Sequence, residues 1–147
     1  MLAAMTELRK FGESLPMLLL KARETAMVRF RPLLQEYGIT EQQWRVLRAL
    51  EDRGPLTATS LSKECAILAP SMTRIIRRLV EFQLVTAERS SSDHREIEVR
   101  IAARGSCIVA DLGPDMEEQY AAIRDLLHPD EYAALTRTLK RLIAIDT

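Results

Sequence analysis

The sequence predicts a mainly α-helical fold carrying one small β-hairpin. Three observations predict it. Apolar residues recur at helical spacing over most of the chain, and between about residues 84 and 101 the period drops to two. Composition agrees: 47% of the 147 residues are apolar, 29% are charged and only 5% are aromatic, with Leu, Ala, Arg and Glu abundant. A chain of this size is one domain, or one domain with a dimerisation extension.

Residues 1–13 form a lead-in. From Ser14 to Tyr37 the spacing predicts a long helix whose stripe is Leu19, Ala22, Ala26, Phe30, Leu33 and Tyr37. Pro32 should kink it, and Gly38 should end it. Thr40-Glu41-Gln42-Gln43 then reads as a capping box, with Ile39 and Trp44 placed as a hydrophobic staple. That helix runs through Leu47 and Leu50 to Arg53-Gly54-Pro55. Thr57 can cap a short third helix, whose Leu61 and Cys65 face inward. Pro70, a favoured first-turn residue, opens a fourth that reaches about Phe82. Its Met72, Ile75, Ile76 and Leu79 fall at i, i+3, i+4 and i+7, an amphipathic stripe.

Leu84–Arg89 and Glu96–Ile101 read as two strands, the second alternating polar and apolar strictly. The polar Ser90–Arg95 between them makes a hairpin tip. From Arg104 the stripe Ile108, Leu112, Met116, Tyr120, Ile123 and Leu127 is helical, interrupted by Gly113-Pro114. His128-Pro129-Asp130 opens a last helix with Tyr132, Leu135, Leu139, Leu142 and Ile143. Helix, turn, helix, hairpin is the winged helix-turn-helix order. The expected architecture is a DNA-binding lobe over 39–104 and a helical dimerisation region over 1–38 and 105–147.

The formal net charge is zero, but the acid excess is confined to residues 105–147, with four Lys/Arg against eight Asp/Glu. DNA affinity depends on local positive charge near phosphates, so neutrality of the whole does not exclude it. With the apolar stripe docked, Arg74 and Arg77 point away from the core, and Ser71, Thr73 and Arg78 flank them. Arginines and hydroxyls on the free side of a groove-sized helix suit base edges and phosphates. At the hairpin tip, Asp93-His94-Arg95 sets an arginine where it could enter a minor groove, with Asp93 able to orient it.

Other classes find less support. No Gly-rich phosphate loop, nucleophile motif or paired carboxylates point to an enzyme, and His94 and His128 lack metal-ligand spacing, so no cofactor or metal is expected. No run approaches the roughly 20 apolar residues of a membrane span, and Leu15–Leu20 lacks the features of a signal peptide. Cys65 and Cys107 are far apart without a CxxC pairing, which suits a reduced, cytoplasmic setting. A winged helix used only for protein–protein contact is the alternative from another class.

The helix order, the segment TEQQWRVLR at 40–48, the helix PSMTRIIRRL and the Asp93-x-Arg95 wing resemble the MarR family of transcription regulators over about residues 14–145. Within it, SLPMLLLKARETAMVRFRPLL and CAILAPS resemble the subgroup repressing operons for homoprotocatechuate (hydroxyphenylacetate) degradation. The resemblance implies a homodimer built by the first and last two helices, reading double-stranded DNA at a pseudo-palindrome. It also implies release by a small aromatic carboxylate. Arg23, Met27 and Phe30 share one helix face suited to such a ligand, and Ser14, Trp44 and Arg45 join them by resemblance. Some family members sense oxidants instead, which makes Cys65 or Cys107 the alternative sensor. Both fall near apolar positions, with no cluster of bases to activate them. Three positions depart from the family pattern: Ala69 before the recognition helix, Gln83 after it, and Ala102 before the next helix.

Overall fold

A computed structural model describes residues 7–89 and 95–145. After a 3-10 turn at Phe11–Glu13 come α1 (Leu15–Glu36), α2 (Glu41–Arg53), β1 (Leu56–Thr57), α3 (Ala58–Cys65) and α4 (Ala69–Glu81). Then follow β2 (Val85–Arg89), β3 (Ile97–Ile101), α5 (Ala103–Leu127) and α6 (Pro129–Ile143).

Local chemistry sets the boundaries. The capping box before α2 is complete: the Gln43 amide donates to Thr40 Oγ1 and the Thr40 amide to Gln43 Oε1, both at 3.1 Å. Thr57 Oγ1 accepts from the Ser60 amide at 3.1 Å and starts α3. Gly38, at φ +65°, takes the left-handed turn that ends α1. Because α1 stops at Glu36, Tyr37 lies outside the helix and stays exposed, while Leu34 takes the buried place.

Several expectations needed adjustment. Leu68, not Ala69, holds the N-cap position of α4, and it makes no side-chain cap bond. Gln83 adopts φ +59°, as the turn after α4 requires, without glycine's freedom. α1 continues through Pro32 and α5 through Gly113-Pro114 without a break. The two-residue β1 was not foreseen. It pairs with β3 through Leu56↔Val99, making an antiparallel sheet of order β1-β3-β2. The hairpin register runs from Val85↔Ile101 to Arg89↔Ile97.

Two apolar clusters result. The larger gathers α2, α3, α4, the sheet and the start of α5, and includes Val46, Leu47, Leu50, Leu61, Met72, Leu79, Val85 and Val99. Each such side chain contributes roughly 1.5–3 kcal/mol on burial. The smaller joins Phe30 and Leu34 of α1 to Leu112 and Met116 of α5. Gly105 locks α5 onto the lobe: a Cβ there would stand 2.3 Å from the Leu84 carbonyl oxygen and 2.9 Å from Ile101 Cγ1.

Candidate nucleic-acid interface and effector cleft

The stripe of α4 is docked as its spacing predicts, with Met72, Ile75, Ile76 and Leu79 buried. Thr73, Arg74, Arg77 and Arg78 are therefore exposed, and Ser71 is half-buried. Arg74 Nη2 lies 3.5 Å from Ser71 Oγ. Arg78 is engaged on its own helix, with Nη1 donating to Glu81 Oε2 at 3.0 Å and its guanidinium 4.6 Å from the centre of the Phe82 ring. Arg74 and Arg77 thus stand on the exposed face without an ion pair among the described residues, whereas Arg78 is paired with Glu81. In the wing, Arg95 is exposed, whereas Asp93 and His94 lie outside the described residues.

A cleft of about 300 Å³ opens where α1, α2 and α5 meet. Five of the six residues expected to hold an effector line it: Arg23, Met27, Phe30, Trp44 and Arg45. Ser14, at the N-cap of α1, is not among its lining residues. The sequence reading missed Glu41, Arg48, Glu64, Cys65 and Tyr120, which complete the wall with Ala49. Arg48 is one helical turn beyond Trp44, so the 3.6-residue period could have found it. Tyr120 had no such signal: it arrives from α5 and rests its ring 4.8 Å from that of Phe30. Burial pushes the Tyr120 hydroxyl above its ordinary pKa.

Charge in the cleft is unevenly committed. Glu41 bonds to Arg23 and Arg31, and Glu64 pairs with Arg53. Arg45 Nη1 donates to the Cys65 carbonyl at 2.8 Å, while its enclosed Nε has no hydrogen-bond partner among the described residues. Arg48 carries no ion pair or hydrogen bond among the described residues. Both cleft carboxylates are thus neutralised, which leaves an aromatic, apolar chamber with spare cationic donors. Such a chamber favours a small aromatic anion.

The two cysteines differ. Cys65 is buried and burial raises its pKa, which disfavours the reactive thiolate. Cys107, expected near an apolar position, is instead exposed on α5 because Val109 and Leu112 take that helix's buried places. Among the described residues no group of three or more His, Cys, Asp or Glu is placed to hold a metal ion, and no helix is long and apolar enough to cross a membrane.

Comparison with known proteins places this architecture. A model of the MarR family matches residues 37–96, which span most of the lobe. The HTH-type transcriptional regulator FarR of Neisseria gonorrhoeae is 34% identical over 128 residues, covering 87% of this chain and 88% of that one. The homoprotocatechuate degradative operon repressor of Escherichia coli is 32% identical over 133 residues, 90% of each chain. Among solved structures, the transcriptional regulator PA4135 superposes with a TM-score of 0.88 at 36% identity, covering 91% of this chain and 98% of that one. NadR in complex with 4-hydroxyphenylacetate superposes at 0.82 and 33% identity, covering 96% and 100%. The lobe carries the family's pattern and the relatives extend the match over both flanking helical segments: the chain belongs to the MarR family of helix-turn-helix transcriptional regulators.

Proposed function

We propose that this chain is a cytoplasmic, homodimeric DNA-binding repressor that leaves a pseudo-palindromic operator when a small aromatic carboxylate enters the α1–α2–α5 cleft. Residues 39–104 are the reading lobe, and 1–38 with 105–147 the dimerisation region. The observation that carries the reading is the division of α4 into a buried apolar stripe and an exposed face of Thr73, Arg74 and Arg77. Ser71 and Arg78 flank that face, and Asp93, His94 and Arg95 supply the wing contacts. A two-fold pair of lobes would read half-sites about 10 bp apart.

Dimerisation is supported by apolar side chains that the single chain leaves uncovered. Leu15, Leu18, Leu126, Leu135 and Ile143 are all exposed on α1, α5 and α6. Burying such a surface against a second copy is strongly favourable.

For the ligand, the relative bound to 4-hydroxyphenylacetate and the relative named for homoprotocatechuate degradation support an aromatic acid. Met27, Phe30 and Trp44 supply the apolar wall. The cation for its carboxylate is Arg48, helped by the open Nε of Arg45, because Arg23 already serves Glu41 and Glu24. Thermal-shift titration with 4-hydroxyphenylacetate, 3,4-dihydroxyphenylacetate and salicylate tests this reading, since a ligand preferring the native state raises the melting temperature. Arg48→Gln should weaken the active ligand about 10- to 100-fold, the worth of a charged hydrogen bond. Unchanged affinity in that variant would remove Arg48 from the site.

A further inference from the structure

Glu41 stands at the junction of the two regions, in the first turn of α2. Its carboxylate is bridged by two guanidiniums of α1. Arg23 Nη2 donates to Oε2 at 2.8 Å, and Arg31 Nε donates to Oε1. The same two arginines share Glu24: Arg23 Nη1 donates at 3.2 Å and Arg31 Nη2 at 2.7 Å. Two cations and two anions form a closed ring. Arg23 and Glu41 line the effector cleft, whereas Arg31 and Glu24 do not. The ring is therefore half inside the cleft and half outside it.

We propose that Arg31 is a positioning residue for this regulator: from outside the cleft it fixes Glu41, and through Glu41 it ties cleft occupancy to the placement of the reading lobe on the dimerisation helices. The proposal rests on the reading above, in which an aromatic carboxylate occupies the cleft.

A ligand moves an equilibrium only as far as its affinity differs between the two states. The ring supplies such a difference. An anion seated on Arg48 brings negative charge beside the Arg23–Glu41 pair in the same cleft, which attracts Arg23 and repels Glu41, so Glu41 comes to depend on Arg31 outside it. A shift of Glu41 is a shift of the start of α2, and Val46, Leu47 and Leu50 of that helix sit in the lobe core. The packed core carries the displacement as a body rather than absorbing it. The electrostatics agree: Arg23, then Arg31, holds the Glu41 carboxyl below its usual range against burial, and the two glutamates raise Arg31, Glu24 foremost.

The test compares the full-length chain with Arg31→Gln, Arg31→Lys and Glu24→Gln. Each is measured for binding to a palindromic duplex recovered from a random pool, with and without saturating 4-hydroxyphenylacetate. Ligand affinity of the free protein is read separately by calorimetry. In the wild type the ligand should weaken duplex binding by a factor in the 5- to 150-fold range usual for coupled sites. Arg31→Gln should bind the ligand with wild-type affinity, yet its coupling should drop below about twofold. Arg31→Lys should recover part of it. Glu24→Gln, a milder break of the same ring, should fall between, and it decides the matter if Arg31→Gln does not fold. Wild-type coupling in Arg31→Gln or Glu24→Gln would overturn the proposal. If 4-hydroxyphenylacetate does not bind the wild type, the effector reading fails on its own. The ring is then judged without ligand: Arg31→Gln must change duplex affinity and Glu41→Gln must add nothing further, and an unchanged affinity rejects it.

Discussion

The reading lobe and the helical extension are made from similar residues but finished differently. The lobe closes its core within one chain: fifteen buried side chains from Ile39 to Val109 form a single cluster. The extension's own cluster holds four buried side chains, Phe30, Leu34, Leu112 and Met116, and none of the described side chains of α6 is buried. The lobe thus covers most of its apolar surface itself, whereas the extension leaves an apolar face exposed in the single chain. In the proposed dimer, one region would hold its shape while the other fixes how two copies stand together. The cleft lies between them, where a small molecule can act on their relation.

The sharpest break in that comparison is at Gly105, where α5 leaves the lobe. Gly105→Val should destabilise the chain by at least about 3 kcal/mol, because its Cβ would overlap the Leu84 carbonyl rather than a side chain able to move. Chemical denaturation checks it, and a loss below about 1 kcal/mol would mean the joint is looser than described. Next is Leu135→Asp on α6, exposed in the single chain. Sedimentation should show its dimer dissociating at concentrations where the wild type holds, with the helical signal of the lobe kept. Global unfolding instead would show that the lobe is not self-sufficient.

A smaller effect concerns the ring between the regions. Glu41 is held below its usual pKa when folded, so its contribution is present above the ordinary glutamate value, about 4.3, and is lost as pH falls through the depressed one. The melting-temperature gap between wild type and Glu41→Gln should stay level from about pH 8 to 5 and close only on further acidification. The smallest effect is chemical. A thiol reagent should label exposed Cys107 first and react far more slowly with Cys65, which is nearly covered and whose pKa is raised by burial.

The lobe was legible in the sequence because its signals are local. A capping box at Thr40, a cap at Thr57, and a strict stripe in α4 each specify an element within a few residues. β1 escaped because two residues carry no period, and only pairing with Val99 makes Leu56 a strand. The cleft was half legible. Arg23, Met27 and Phe30 share a face by spacing alone. Tyr120 and Cys65 reach the cleft by tertiary packing that no local pattern encodes, and the commitment of Arg23 to Glu41 depends on how α1 crosses α2. Gly105 shows the same limit, since its need for a missing Cβ arises from Leu84, twenty-one residues away.

The central claim is that α4, presented twice by a dimer, grips the phosphates and bases of a duplex. Its most direct test is the affinity for a palindromic duplex recovered from a random pool, followed between about 50 and 200 mM salt. With six or more phosphate contacts, affinity should fall about a thousandfold or more, and Arg74→Ala with Arg77→Ala should flatten the slope. Affinity that stays level with salt, or a slope that those two substitutions leave unchanged, would contradict the account.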